Sequence, residues 1–231
     1  DKGFISYDEI NKRPYRLQVK PLIKLNDIYY FSREICKRTI NVFLRHISNG
    51  KLPYRSKYRE IQDVMDKYAK KIQNNIVDKA FEILKENGYE TIYKEVDLRK
   101  LDKNGNHPLL EKLGDYDLLV FDIKNNIILN IECKYISQDF CAKDLKNTME
   151  KLFGKNENDK SYIRQVLKRQ KYLVENIEKI VNNLKFEFQP QIRVIPIFLT
   201  YTSNIFLKNP LIESDIVYIT LNEFESYLKS L

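Results

Sequence analysis

The segment between Tyr116 and Tyr135 constrains the fold of this chain more than any other. Two β-rich runs, residues 118–123 and 127–131, flank a polar turn at Lys124-Asn125-Asn126, and this pattern predicts a β-hairpin. Because successive side chains of a strand point to opposite faces, the second run divides into two sets. One set is apolar (Ile127, Leu129, Ile131, Cys133), and the other carries Asn130, Glu132 and Lys134 beside Ile128. The apolar set is expected to pack on a helix, while the other set lines a cleft.

The register of the hairpin decides where Asp117 lies relative to Glu132 and Lys134. A two-residue loop at Lys124-Asn125 places Asp117 opposite Glu132, and a loop at Asn125-Asn126 places it opposite Lys134. In either register the three side chains share one face of the sheet, whereas a three-residue loop would separate them. An ordinary amphipathic hairpin with a cross-strand ion pair is the alternative interpretation.

An acidic residue after a turn, an apolar hairpin and then acid-x-Lys occur here in Gly114-Asp115-Tyr116-Asp117 and Glu132-Cys133-Lys134. This order resembles the PD-(D/E)xK, or restriction-endonuclease-like, nuclease superfamily, and most of all its NERD-like and Mrr-like domains. Tyr116 stands where the literal pattern has proline. Two other tripeptides satisfy the looser pattern, Asp122-Ile123-Lys124 and Asp144-Leu145-Lys146; the first abuts the turn and the second follows no predicted strand.

The resemblance implies that Asp117 and Glu132 are metal ligands, that the backbone carbonyl of Cys133 is a third ligand and that Lys134 is the catalytic lysine. Hard carboxylate oxygens bind Mg²⁺ or Mn²⁺, which can polarise a phosphate and generate hydroxide near neutral pH. Lys134 would position the attacking water and offset charge that develops on the phosphate. The Cys133 thiol is expected in the core as a small hydrophobe.

The rest of the chain predicts elements in the order of the superfamily core, which is α-β-β-β-α-β. Apolar residues at helical spacing predict one helix over residues 58–87, for which Gly88 is the expected stop. The same spacing predicts a second helix over residues 159–184. Strands are predicted over residues 90–98, 192–200 and 215–220, a charged loop over residues 100–108 and a last helix over residues 221–228. Pro196 argues against a central position for the whole of its strand. The predicted fold class is α/β (α+β): a restriction-endonuclease-like core whose central mixed sheet is flanked by helices.

The two long predicted helices carry further candidates for the site. In the second helix, the resemblance implies a catalytic role for Gln165 beside the metal, and Gln170 is a rival because it falls within the apolar stripe. In the first helix, many superfamily members have a glutamate, and Asp78 is nearest in spacing, followed by Glu82. Asp78 is predicted almost opposite the apolar stripe, whereas Gln73 points nearer the core, so an amide is the alternative to a carboxylate there.

The charge of the chain favours an anionic partner. Lys and Arg number 40 against 32 Asp and Glu, which gives a formal net charge of +8. Arg164, Lys168 and Arg169, next to Gln165, are the predicted contacts to a nucleic-acid backbone, with an ordinary solvated helix face as the alternative. DNA is expected as the partner rather than RNA.

Residues 1–55 predict an appendage to the nuclease core of residues 56–231. Runs over residues 16–25 and 28–31 predict a hairpin that turns at Asn26-Asp27, and a helix over residues 32–47 would be capped by Ser32. The cysteines (Cys36, Cys133, Cys141) lack zinc-ligand spacing and are typical of a reducing cytoplasm. The chain begins with aspartate, so further domains or subunits of a larger protein are expected.

Taken together, these features predict a metal-dependent endonuclease that hydrolyses DNA phosphodiesters and serves as a module of a prokaryotic restriction or antiviral-defence protein. A homodimer would supply two sites for cutting both strands of a duplex. A repair or junction-resolving nuclease and a catalytically silent nucleic-acid-binding or scaffold module of the same fold are the alternatives.

Overall fold

The computed structural model describes residues 20–53, 58–102, 105, 107–136, 142–156, 160–187 and 189–231. The backbone contacts divide the chain into two compact units. One comprises residues 1–72 and 137–146, and the other comprises residues 73–136 and 147–231. The division at Ile72 falls inside a long helix, Arg59–Glu86.

The first unit contains a short hairpin and a helix. Strands β1 (Ile23–Leu25) and β2 (Ile28–Tyr30) are antiparallel and turn at Asn26-Asp27. Both turn residues have positive φ, 46° and 63°, as a tight hairpin turn requires. Helix α1 (Arg33–Ser48) follows Ser32. The predicted hairpin and helix are therefore confirmed, except that residues 16–19 of the predicted first run lie outside the described residues. Ser32 occupies the N-cap position, but its side chain makes no capping hydrogen bond.

Helix α2 (Arg59–Glu86) agrees with the predicted helix over residues 58–87. It is followed by Gly88, whose φ of +85° lies in the left-handed region that favours glycine and that ends helices. In the second unit, α2 buries Ile76, Val77, Ala80 and Leu84. Ala80 and Leu84 follow Ile76 and Val77 at spacings of three and four residues, so the set forms the single apolar face that the sequence predicts.

Within the described residues, five strands form one mixed sheet in the order β3-β4-β5-β6-β7. They are β3 (Ile92–Asp97), β4 (Asp115–Asp122), β5 (Ile127–Lys134), β6 (Arg193–Thr200) and β7 (Val217–Thr220). The pairs β3–β4 and β4–β5 are antiparallel, whereas β5–β6 and β6–β7 are parallel. Pairing of β6 with β7 begins at Ile197, directly after Pro196, which confirms the expectation for that proline.

The remaining helices depart from the prediction in four places. They are α3 (Leu98–Leu101), α4 (His107–Leu113), α5 (Ala142–Phe153), α6 (Tyr162–Glu175), α7 (Ile177–Asn183), α8 (Ile205–Lys208) and α9 (Leu221–Leu228). The predicted loop over residues 100–108 contains parts of α3 and α4, and neither α5 nor α8 was predicted. The single helix over residues 159–184 is wrong, because it breaks at Asn176, whose amide donates to the Tyr172 carbonyl at 2.9 Å. Asx side chains compete in this way with the helical backbone.

Helices cover both faces of the sheet. On one face, Leu118, Leu129 and Ile131 pack with the buried residues of α2 and with Leu221 and Phe224 of α9. On the other face, residues of β4 and β5 pack with α6 and α7; this cluster includes Leu119, Phe121, Ile128, Tyr172, Leu173 and Ile180. The protein is thus α+β, with a mixed sheet flanked by helices. In the described part of the chain, no helix combines the length and apolar character needed to span a membrane.

Candidate active site

The β4–β5 register places Asp117 across from Glu132. The ladder pairs Leu118 with Ile131 and Asp122 with Ile127, so it is centred on Lys124-Asn125. The first of the two predicted registers is therefore confirmed. At the turn, the Asp122 carboxylate accepts hydrogen bonds from the backbone and side-chain amides of Asn125 at 3.2 and 2.8 Å. Asp122 thus stabilises the turn, at the opposite end of the hairpin from Glu132.

The Asp117 side chain occupies the point where the strands part. Beyond the Leu118–Ile131 pair, Asp117 Oδ2 accepts a hydrogen bond from the backbone N–H of Cys133 at 2.8 Å. On the other side of β4, the ladder passes from Lys94 to Val96 and omits Glu95, which has a φ of +48°. The carboxylate thus satisfies a backbone donor that a regular ladder would have paired with a carbonyl.

Asp117, Glu132 and Lys134 converge as the sequence predicts. Lys134 Nζ lies 3.3 Å from Asp117 Oδ2 and 2.7 Å from Glu132 Oε1. The side chains of Lys134 and Asp117 are 20% and 23% exposed, whereas that of Glu132 is only 4% exposed. The polar face of the β4–β5 hairpin is therefore reached from solvent at Asp117 and Lys134 but is covered at Glu132.

Arg169 of α6 covers Glu132. Its Nη1 donates to Glu132 Oε2, and its Nε donates to the backbone carbonyl of Leu113 at 2.7 Å. The predicted role of Arg169 as an exposed contact to nucleic acid is wrong, since the residue is buried with 5% exposure. The sequence did contain a signal for this burial: Arg169 lies three residues after Val166 and four before Leu173, at the spacing of the apolar stripe.

The two candidate glutamines of α6 contact backbone and polar groups behind the carboxylates. Gln165 Nε2 donates to the Leu113 carbonyl at 3.3 Å, the same carbonyl that Arg169 contacts. Gln170 accepts from Asn130 Nδ2 at 3.1 Å and donates to the Val194 carbonyl at 2.8 Å. Gln165 is therefore linked to Arg169 by the Leu113 carbonyl that both side chains contact. Gln170 links α6 to β5 and β6 through its hydrogen bonds to Asn130 and Val194.

The first long helix contributes an amide to the site. Gln73 Nε2 donates to the carbonyl of Cys133 at 2.7 Å, and Gln73 Oε1 accepts from the backbone N–H of Tyr135 at 2.6 Å. Asp78 instead forms an exposed ion pair with Lys94, and Glu82 is exposed. Gln73 thus holds the end of β5, including the carbonyl that the sequence predicts as a metal ligand.

Burial and charge act against each other at these groups. Burial raises the pKa of Glu132, although the positive charges of Lys134 and Arg169 oppose the rise. Burial alone would lower the pKa of Lys134, but the charges of Glu132 and Asp117 outweigh it and raise that pKa above its ordinary value. Lys134 is therefore an ammonium ion near neutral pH. Burial also raises the pKa of the Cys133 thiol, in agreement with its prediction as a core residue.

The surface beside Lys134 is aromatic and basic. The ring of Tyr162, the first residue of α6, has its centroid 5.6 Å from Lys134 Nζ. Arg164 is half-buried and donates to the Phe153 carbonyl at 3.0 Å, whereas Lys168 is exposed. A depression of about 460 Å³ lies between α5 and the start of α6. Its lining comprises Asn147, Glu150, Lys151, Gly154, Lys155 and Lys160.

The donor set agrees with a hard cation in chemical type. Asp117 and Glu132 offer carboxylate oxygens and Cys133 a carbonyl oxygen, which suit Mg²⁺ or Mn²⁺. A carbonyl oxygen has two lone pairs, so the hydrogen bond from Gln73 leaves Cys133 an acceptor position. Among the described residues, however, no group of three or more His, Cys, Asp and Glu side chains is placed to hold a metal.

Comparison with protein-family models, with curated proteins and with solved structures finds no significant match to this chain. Function is therefore inferred from the geometry of Asp117, Glu132 and Lys134 and from the residues that surround them.

Proposed function

We propose that this chain is a metal-dependent nuclease that hydrolyses phosphodiester bonds of DNA, with Asp117, Glu132 and Lys134 as its catalytic residues. The observation that carries the proposal is the position of Lys134 Nζ, which contacts both carboxylates at the point where β4 and β5 part. The element order α2, β3, β4, β5, α6, β6 supports a restriction-endonuclease-like core, with shorter helices inserted.

Asp117, Glu132 and the Cys133 carbonyl are the groups that would hold Mg²⁺ or Mn²⁺. Such an ion, when bound, polarises a phosphate and lowers the pKa of a bound water. Gln73 fixes the Cys133 carbonyl through its hydrogen bond at 2.7 Å. The chain itself therefore orients all three groups before substrate arrives, which lowers the cost of ordering them during the reaction.

Lys134 is the group that would meet the substrate. Its side chain is partly exposed, and its flexible stem can direct the ammonium toward a phosphate oxygen. The neighbouring carboxylates raise the pKa of Lys134 above its ordinary value, so the amine stays charged. The charged amine can offset negative charge but cannot act as a general base near neutral pH. Lys134 is thus assigned to charge stabilisation and to holding the attacking water.

The polyanionic backbone of DNA suits the surface beside the site. A depression between α5 and α6 is lined by Lys151, Lys155 and Lys160. Lys160 is two residues before Tyr162, the first residue of α6. Tyr162 in turn contacts Lys134. Lysine acts on phosphate as a point charge without regard to base sequence, so this surface would position the backbone rather than select a sequence.

The proposal is tested by cleavage of plasmid, linear duplex, single-stranded DNA and RNA with Mg²⁺ or Mn²⁺. Asp117→Asn and Lys134→Met should abolish cutting, because each removes a charge from the site and changes side-chain volume little. The hairpin supplies a matched control in its rival tripeptide: Asp122→Asn and Lys124→Met make the same changes at the turn end, and an asparagine at residue 122 keeps an acceptor oxygen for the backbone N–H of Asn125. Cutting that persists in all four variants, or wild-type protein that cuts no substrate with either ion, would overturn the proposal.

One observation favours a silent binding module as the second candidate. The two carboxylates and the two cations, Lys134 and Arg169, already balance in formal charge, and Glu132 is buried. A buried, paired cluster of this kind can serve structure alone. Binding of DNA by the wild type, with unchanged binding and no cleavage when either ion is added, would favour this candidate.

A further inference from the structure

We infer that Arg169 is a positioning residue that holds Glu132 through Oε2 and leaves only Oε1 for a cation or for Lys134. This inference rests on the proposed nuclease function and adds a residue to its site. Arg169 itself is placed too deep to touch substrate, since its side chain is 6% exposed.

The guanidinium of Arg169 is fixed from several directions. Nη1 donates to Glu132 Oε2, Nε donates to the Leu113 carbonyl at 2.7 Å, and Cζ lies 5.7 Å from the ring centroid of Tyr116. The Tyr116 hydroxyl also donates to the backbone carbonyl of Arg169 at 3.1 Å. Rotation of the guanidinium would break both of its hydrogen bonds in a buried place, where unpaired polar groups are costly.

Gly114 packs directly against the guanidinium of Arg169 and leaves room for it because it has no side chain. Its φ is +70°, and a Cβ built on it would lie 3.2 Å from Arg169 Nη2. A side chain at residue 114 would therefore be strained in its backbone and would press on the guanidinium. The glycine that precedes Asp115 thus admits Arg169 to its place beside Glu132.

The two cationic side chains bound to Glu132 differ in how freely they can move. Arg169 is buried and bound through two different nitrogens of its planar fork, whereas Lys134 is 20% exposed and reaches the carboxylates through Nζ alone. Lys134 is therefore the cation that can turn toward substrate. Arg169 stays bound to Oε2 and fixes the orientation of the Glu132 carboxylate, so that Glu132 acts through Oε1 alone.

Charge-conserving variants separate positioning from charge. Arg169→Lys keeps the positive charge but cannot reach both Leu113 and Glu132 in the fork geometry. Gly114→Ala alters no charge and displaces the guanidinium. Lys168→Arg is the control for the first variant. Gly88→Ala is the control for the second, since Gly88 has a φ of +85° and nothing within 4 Å of the added Cβ.

The measurement is calorimetric titration of each variant with Mn²⁺ alone, in protein whose circular dichroism matches the wild type. Both test variants should bind Mn²⁺ about tenfold to a hundredfold more weakly, as is usual when the partner of a metal ligand is removed. The two controls should bind as the wild type does. Should Arg169→Lys fail to fold, Gly114→Ala carries the same test.

The outcomes distinguish this inference from the proposed function. Wild-type affinity in Arg169→Lys and Gly114→Ala, even with reduced thermal stability, would overturn the positioning role and leave the nuclease proposal standing. Absence of Mn²⁺ binding by the wild type would overturn the proposed metal site, and this inference with it.

Discussion

Glu132 has each of its carboxylate oxygens bound to a cation, and the two cations have different surroundings. Oε1 contacts Lys134, which solvent reaches, and Oε2 contacts Arg169, which is buried. Removing one partner of a buried pair leaves the other charge unpaired, and this costs more than the pair contributes when intact. The stability of the fold and the chemistry of the site are therefore coupled at Glu132.

We predict that Glu132→Ala lowers the free energy of unfolding by about 3–5 kcal/mol, because it leaves Arg169 buried without its carboxylate. Lys134→Ala should cost clearly less, since the lysine is partly exposed and Arg169 still satisfies Glu132. Urea unfolding in metal-free buffer measures both changes. Equal losses in the two variants would contradict the assignment of Arg169 as the fixed partner. Asp117→Asn and Lys134→Met are therefore better inactive variants than Glu132→Ala.

Gln73 gives a second prediction at the residue scale. Gln73→Leu leaves the Cys133 carbonyl and the Tyr135 N–H without their partner, and each unsatisfied group should cost about 1–3 kcal/mol. Gln73→Glu can still accept from the Tyr135 N–H, but a carboxylate oxygen then replaces the Nε2 donor and faces the Cys133 carbonyl oxygen, which it repels. We expect it to be destabilised without metal and to gain more in Tm from Mn²⁺ than the wild type gains.

Thermal unfolding with and without Mn²⁺ measures the effect of Gln73→Glu. The expected gain follows because a ligand that binds only the folded state raises Tm by an amount that grows with the logarithm of its affinity, and a third carboxylate increases that affinity. Gln73→Leu is the control, since it also loses the hydrogen bond to the Cys133 carbonyl but adds no charge. An equal Tm shift in Gln73→Glu and wild type would place residue 73 outside the metal site.

At the scale of the element, the β4–β5 hairpin has two ends with different roles. Asp122 and Asn125 hydrogen-bond each other at the turn and fix the register. At the other end, Asp117 hydrogen-bonds Cys133 where the ladder stops. A one-residue slip would turn every side chain to the other face, so the turn chemistry decides which residues face α6.

Helix α9 gives a prediction that depends on pH. The Glu223 carboxylate accepts from the Thr220 hydroxyl at 2.7 Å and from its backbone N–H at 2.9 Å, and these hydrogen bonds lower the pKa of Glu223. Glu223→Ala should reduce the free energy of unfolding by about 0.3–1 kcal/mol at neutral pH, as expected for an acid at a helix N-terminus.

The sign of the pH dependence follows from the lowered pKa. A carboxylate whose folded-state pKa is depressed stabilises the fold above its ordinary pKa, which is 4.5 for Glu223, and the effect is lost as the pH falls through the folded value. The difference between wild type and Glu223→Ala should therefore vanish in acid. Urea unfolding of both proteins across this range measures it, and a difference that grows in acid would contradict the capping role.

At the scale of the whole molecule, the proposed substrate surface predicts a change in salt dependence. Replacing Lys151, Lys155 and Lys160 together by Gln should weaken DNA binding. It should also reduce the slope of log affinity against log salt by about 0.9 for each phosphate that the variant no longer neutralises. The control replaces Lys124, Lys185 and Arg193, which are exposed, by Gln. Equal effects of the two triple variants, measured by fluorescence anisotropy, would show only a general effect of net charge.

The sequence predicted the strands, the first long helix and the convergence of Asp117, Glu132 and Lys134. Each depends on local sequence: the period of two in strands, the spacing of apolar residues in α2 and the polar turn at Lys124-Asn125-Asn126, for which two registers were predicted. The break at Asn176 was missed because apolar spacing continues on both sides of it. The role of Arg169 was missed because a charged helix residue is solvated by default, although its spacing from Val166 and Leu173 indicated burial.

Local sequence was therefore sufficient to establish which residues of the hairpin share a face, because a strand and its turn fix side-chain direction. The groups that meet that face depend on tertiary packing. Arg169 is 37 residues from Glu132 in sequence, and Gln73 is 60 residues from Cys133. The rotation and depth of a helix are set only when its apolar side packs on the sheet, and no pattern within the helix specifies which strand residue it will contact.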